Sequence, residues 1–281
     1  MSELSVPPEW LKQRLGQKGV KIVDGSWYLP AQKRDAKAEF LAGHIPEAVF
    51  FDIDEIADHS TDLPHMLPAP VAFERAAGSL GLSESDTIIV YDGVGLFTAP
   101  RVWWTLRVFG AKDVRILEGG LPAWKRARLP IESGEAHPEP TRFKATVSPA
   151  LVRSLEDVRA TLAARSAVVI DARAPGRFSS EAPEPRPGLP SGHMPGARNV
   201  HFETLVDQHG KLKPPAEVRR IFEEAGVDLS APAVTSCGSG VTAAVLAFAL
   251  ASLGKQDVAL YDGSWTEWAS QPDAAIARGP A

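Results

Sequence analysis

The chain has 281 residues, 44% of them apolar and 23% charged, a soluble globular balance with room for one large domain or two of ordinary size. Its 30 basic and 35 acidic side chains leave a formal charge of −5, which argues against a general affinity for nucleic acid or an anionic membrane. A single cysteine excludes an internal disulfide and any CxxC pair.

Along the chain, MSELSVPPEWLKQRLG shows no basic leader followed by an apolar run. Short β-branched runs at 20–24, 87–92 and 114–117 read as strands, with a helical stretch, PVAFERAAGSLG, at 70–81. The stretch 129–152 is rich in proline, charge and small residues and lacks an apolar period, so it reads as a boundary. Beyond it, Ser154 with Asp157 three residues on is a capping-box pattern that opens a helix. Strands are then expected at 168–171, 233–237 and 258–261, with a helical stretch at 216–226. The apolar run at 241–254 is too short to cross a bilayer and reads as a buried core helix. Alternating helices and continuous apolar strands predict an α/β fold with a parallel sheet in each half.

The halves repeat one another. KIVDGSWY, AGHIPEAVFFD, TIIVYDGVG and VRILEGGLPAW are followed, in the same order, by VVIDARAP, SGHMPGARNVHF, AVTSCGSG and VALYDGSWTEW. The landmark pairs Asp24/Asp171, His44/His193, Asp92/Cys237 and Trp124/Trp268 lie 144 to 149 residues apart. So constant an offset implies duplication of a whole domain. The expected division is an N-terminal domain over 1–135, a linker over 136–152 and a C-terminal domain over 153–281.

Cys237 ends an apolar strand and is followed by Gly-Ser-Gly and a helix beginning near Val241. Ligands of open α/β sheets sit at the carboxyl ends of strands. Gly238 and Gly240 allow a tight curl whose N–H groups can form an anion nest, and the helix adds the positive end of its dipole. Both favour thiolate over thiol and would steady a persulfide anion. A lone cysteine can equally be a small buried hydrophobe, but strand end, glycine loop and apolar helix together favour a nucleophile.

The loop CGSGVTA, residues 237–243, resembles the active-site loop of 3-mercaptopyruvate sulfurtransferases, and the likeness extends over nearly the whole chain, including the GHIP and GHMP turns and YDGSWTEW. It implies two tandem rhodanese-like domains, with Asp92 replacing the nucleophile in the inactive first domain and Cys237 carrying sulfur in the second. The related thiosulfate sulfurtransferases usually carry two basic residues after the cysteine, where this chain has Gly238 and Ser239. The resemblance further implies that Arg177 and Arg186 bind substrate, with Gly238, Gly240, Val241 and Thr242 as the rest of the binding loop. A planar guanidinium suits the carboxylate of a keto acid, although either arginine by itself could be a solvated loop residue. It also implies a relay of Ser239, His65 and Asp54 that polarises the substrate carbonyl or delivers a proton. By itself His65 could merely pack in a proline-rich loop.

His44 and His193 recur in both halves and read as structural turns, and Asp24 and Asp171 as scaffold. Trp103, Trp104, Trp265 and Trp268 suit packing better than ligand stacking. No metal-ligand spacing, phosphate loop or dinucleotide fingerprint is present, so no metal and no organic cofactor is expected. A cysteine phosphatase would need an arginine where this chain has Ala243. Thiosulfate sulfurtransfer and a non-catalytic sulfur-carrier or redox-sensing module remain the alternatives. The expected partners are a small-molecule sulfur donor and acceptor, with thioredoxin among the acceptors. The expected setting is a monomer in the reducing cytoplasm.

Overall fold

A computed structural model describes residues 4–280. The chain forms two compact units. The first runs to His59, resumes over Leu67–Ser148 and includes Asp207–Lys211; the second comprises Ser60–Met66, Pro149–Val206 and the chain from Leu212 on.

In the first unit the elements are β1 (Ser5–Val6), α1 (Pro8–Lys12), β2 (Val20–Asp24), α2 (Ala36–Ala42), β3 (Ala48–Phe50), α3 (Pro70–Ser79), β4 (Thr87–Tyr91), α4 (Ala99–Val108), β5 (Asp113–Leu117) and α5 (Gly120–Arg126). Its sheet is parallel throughout, in the order β1-β5-β4-β2-β3. The central strand, β4, is fully buried from Ile88 to Tyr91, because helices cover both faces. This is why the sequence shows a continuous apolar run there instead of alternation.

The second unit repeats the plan with β6 (Val152–Arg153), α6 (Leu155–Ala164), β7 (Val168–Asp171), α7 (Pro175–Ser179), β8 (Arg198–Asn199), α8 (Pro215–Glu224), β9 (Ala233–Ser236), α9 (Ala243–Ser252), β10 (Val258–Tyr261) and α10 (Ser264–Ala269). Its parallel order, β6-β10-β9-β7-β8, is that of the first sheet element for element. Helix α9 is apolar on every side and buried from Ala243 to Leu250, as a core helix must be. Ser154 caps α6 with the expected box: its Oγ accepts from Asp157 N at 3.2 Å, and Asp157 Oδ2 accepts from Ser154 N at 2.9 Å.

The GHIP and GHMP turns are structural. His44 Nδ1 lies 2.8 Å from the Phe40 carbonyl with its ring stacked on Phe40 at 4.0 Å. His193 Nδ1 lies 3.0 Å from the Phe178 carbonyl with its ring stacked on Phe178 at 3.8 Å. The tryptophans are packing residues too: Trp103 Nε1 donates to the Val114 carbonyl, Trp265 Nε1 to Pro190 and Trp268 Nε1 to Ala275.

The stretch read as a linker is not slack. Thr141 N donates to Gly78 O, Thr146 N to Phe109 O and Ser148 N to Val108 O. Phe143, 1% exposed, packs edge-on against Phe73 in the first unit. Backbone pairing and one aromatic anchor hold this segment, and neither leaves an apolar period in sequence.

Candidate active site

Cys237 follows the central strand β9, is 2% exposed and is a free thiol. The residues after it are strapped to the start of α10. The Cys237 carbonyl accepts from Trp265 N at 2.9 Å, and the Gly238 carbonyl accepts from Thr266 N at 3.0 Å and Thr266 Oγ1 at 2.6 Å. Cys237 N donates to Ser264 Oγ, whose own proton goes to the Tyr261 carbonyl. Gly240 then takes φ +77°, in the left-handed region that glycine adopts without strain. The helix expected near Val241 begins at Ala243, because Val241 and the capping residue Thr242 finish the loop.

The first unit shows what such a loop binds. Asp92 occupies the position of Cys237, directly after β4. Its Oδ1 accepts from Val94 N at 3.0 Å and Gly95 N at 2.6 Å; its Oδ2 accepts from Phe97 N at 2.8 Å and from Thr98 N and Ala99 N, both at 2.9 Å. The loop is a cradle for anionic atoms two bonds beyond Cβ. The matching amides of the second unit follow Cys237 between Ser239 and Ala243, in a loop one residue shorter (237–242 against 92–98). The first unit is also closed above its loop: a side chain at Gly93 would meet the Tyr28 hydroxyl.

Two cations flank Cys237. A Cβ at Gly238 would lie 3.1 Å from Arg177 Nη2 and 3.6 Å from Arg186 Nη1, so both guanidiniums close on the residue after the nucleophile. Arg177, expected on a loop, stands instead in the short helix α7, which Pro175 initiates from the first turn. Its side chain is 24% exposed and is held by Glu184, with Nε to Oε1 at 3.1 Å and Nη2 to Oε2 at 2.6 Å. Glu184 also takes Arg173 Nη1 at 2.7 Å. Arg173 in turn forks onto Asp171 with Nη2 at 2.6 Å from Oδ2, donates to the Gly192 carbonyl and lies 4.2 Å over the Trp265 ring. Burial alone would pull the Arg173 guanidinium down, yet Asp171 and Glu184 together hold it above its ordinary value.

Of the other expected site residues, Ser239 and His65 are buried in the second unit, and His65 has φ +61°. Asp54 belongs to the first unit, where its Oδ2 accepts from Trp27 Nε1 at 2.8 Å. Arg173 and Glu184 were not anticipated. Their only sequence signal is charge beside Asp171 and Arg186, which resembles ordinary loop charge. Nearby, after β8, burial pulls the His201 imidazole below its ordinary value, opposed by Glu203 and reinforced by the Arg177 charge. Among the described residues no cluster of histidine, cysteine and carboxylates is arranged to hold a metal, and no helix is long and apolar enough to cross a membrane.

The model of the rhodanese-like domain matches the chain twice, over residues 7–127 and 154–271. The 3-mercaptopyruvate sulfurtransferase of Mus musculus is 46% identical over 275 residues, covering 96% of this chain and 93% of the relative. The thiosulfate sulfurtransferase of Cricetulus griseus is 40% identical, covering 98% and 95%. The crystal structure of SseA from Escherichia coli superposes with a TM-score of 0.87 at 43% identity, over 94% of this chain and 99% of that one. Duplicated fold, a single cysteine in the loop after the central strand and full-length likeness agree: the chain is an enzyme that transfers sulfur through that cysteine, and it belongs to the tandem rhodanese-domain family of 3-mercaptopyruvate sulfurtransferases.

Proposed function

We propose that the sulfur donor is 3-mercaptopyruvate and that the reaction runs in two halves. In the first, the Cys237 thiolate attacks the donor sulfur. A sulfur–sulfur bond forms, the carbon–sulfur bond breaks, and its electron pair leaves on carbon as the enolate of pyruvate, which takes up a proton. Loop amides steady the outer sulfur of the resulting persulfide. In the second half an acceptor nucleophile takes that sulfur and returns Cys237 as thiolate. Small thiols, cyanide and thioredoxin are suitable acceptors.

The observation that carries this reading is the approach of Arg177 and Arg186 to Gly238 beside the nucleophile. A keto acid offers a carboxylate for such forks, while Gly238 and Ser239 add no charge to the loop. Ser239 and His65, both buried in the second unit, are proposed to supply the proton that the enolate needs. The protein is proposed to work as a monomer in a reducing compartment, since its chemistry requires a free thiol. Thiosulfate is the second reading, favoured by the likeness to the Cricetulus griseus thiosulfate sulfurtransferase.

Steady-state transfer to cyanide from each donor, side by side, decides between them. The expected result is a specificity constant at least about tenfold higher for 3-mercaptopyruvate; a higher constant for thiosulfate contradicts the proposal.

A further inference from the structure

We infer that Glu184 is a specificity-determining residue that biases the Cys237 site towards singly charged donors. The inference rests on the reading that Arg177 receives the donor's carboxylate. Asp171, Arg173, Glu184 and Arg177 form one continuous chain of charge. Asp171 pairs with Arg173 at 2.6 Å, Arg173 with Glu184 at 2.7 Å and Glu184 with Arg177 at 2.6 Å. Side-chain exposure along it is 0%, 0%, 2% and 24%, so water reaches only the last member.

Two carboxylates and two guanidiniums make the chain formally neutral. Glu184 occupies one Nε–H and one Nη2–H of Arg177, two of the five donors of a guanidinium. The same Nη2 lies 3.1 Å from a Cβ built on Gly238, beside the nucleophile, and the two bonds to Glu184 fix the plane of the fork while cancelling the charge behind it. A planar carboxylate gains from direction. A compact dianion such as thiosulfate needs net positive charge as well, and close charges count heavily where water is excluded. An arginine without Glu184 would serve both donors, whereas this one serves the monoanion.

The test is Glu184→Gln, which preserves shape and an acceptor oxygen while leaving the chain with one uncompensated positive charge. The ratio of kcat/KM for thiosulfate to that for 3-mercaptopyruvate should rise about fivefold or more and fall again with added salt. Glu184→Asp retains the charge, and its ratio should stay within about twofold of native even if both rates fall. Asp171→Asn removes the same charge without touching Arg177 and should shift the ratio in the same direction. An unchanged ratio in Glu184→Gln, or an equal shift in Glu184→Asp, overturns the inference. Should the neutral variants fail to fold by circular dichroism, the native enzyme provides the test. Pyruvate should then compete with the donor at lower concentration than sulfate, and stronger inhibition by sulfate overturns the inference. A native preference for thiosulfate would refute the donor assignment, yet the ratio change in Glu184→Gln would still judge Glu184 separately.

Discussion

Asp92 and Cys237 stand at the same point of two equivalent sheets, each the first residue after the central strand. In the first unit a carboxylate fills the loop's amide cradle; in the second a buried thiol takes the equivalent position. The duplicated domain thus displays its own anion complex. Asp92→Ala would strip five amides of their acceptor, and should lower stability by about 2–4 kcal/mol in denaturant unfolding. The sulfur bound per chain should stay unchanged, because Asp92 carries none.

Asp24 makes a pH prediction. Burial pushes its carboxyl up to about 6, while hydrogen bonds from Ser26 pull the other way. The native state therefore holds a proton that the unfolded chain releases from about pH 4 upward. Stability from this group falls as pH rises from about 4 to 6 and stays reduced above that. Asp24→Asn should flatten the slope and stabilise the protein at pH 8 by up to about 3 kcal/mol, less the strength of the Ser26 contacts. Unfolding midpoints across pH 4–8 check it.

Phe143 tests the packed segment between the repeats. Its ring is buried against Phe73. Phe143→Ala should cost about 3–5 kcal/mol in denaturant unfolding. A loss below 1 kcal/mol would mean the segment contributes little to the first unit.

Arg186→Lys and Arg177→Lys keep a charge but lose the planar fork. Each should raise KM for 3-mercaptopyruvate about tenfold or more, with kcat changed less. In Arg177→Lys the two bonds to Glu184 are also lost, so its effect should be the larger.

Much of this was legible in sequence. Strands β2, β7 and β10 were read with their observed bounds, since buried parallel strands are continuous apolar runs. The edge strands β1, β3, β6 and β8 were not read, because two or three residues show no pattern and owe their pairing to a longer neighbour. The loop of Cys237 was visible because glycine and strand end are local signals. The chain from Asp171 to Arg177 was not, because spacings of two, seven and eleven residues in loops carry no period. Only folding shows that Glu184, which looks like a solvated charge, is 2% exposed between two arginines.

Intact-protein and peptide mass spectrometry after incubation with 3-mercaptopyruvate and no acceptor shows whether Cys237 carries the transferred sulfur. The expected result is one added sulfur per chain, on the peptide containing Cys237, with an equivalent of pyruvate released, and no sulfur on a folded Cys237→Ser variant. Sulfur transfer that persists in Cys237→Ser, or pyruvate released with Cys237 unmodified, would contradict it.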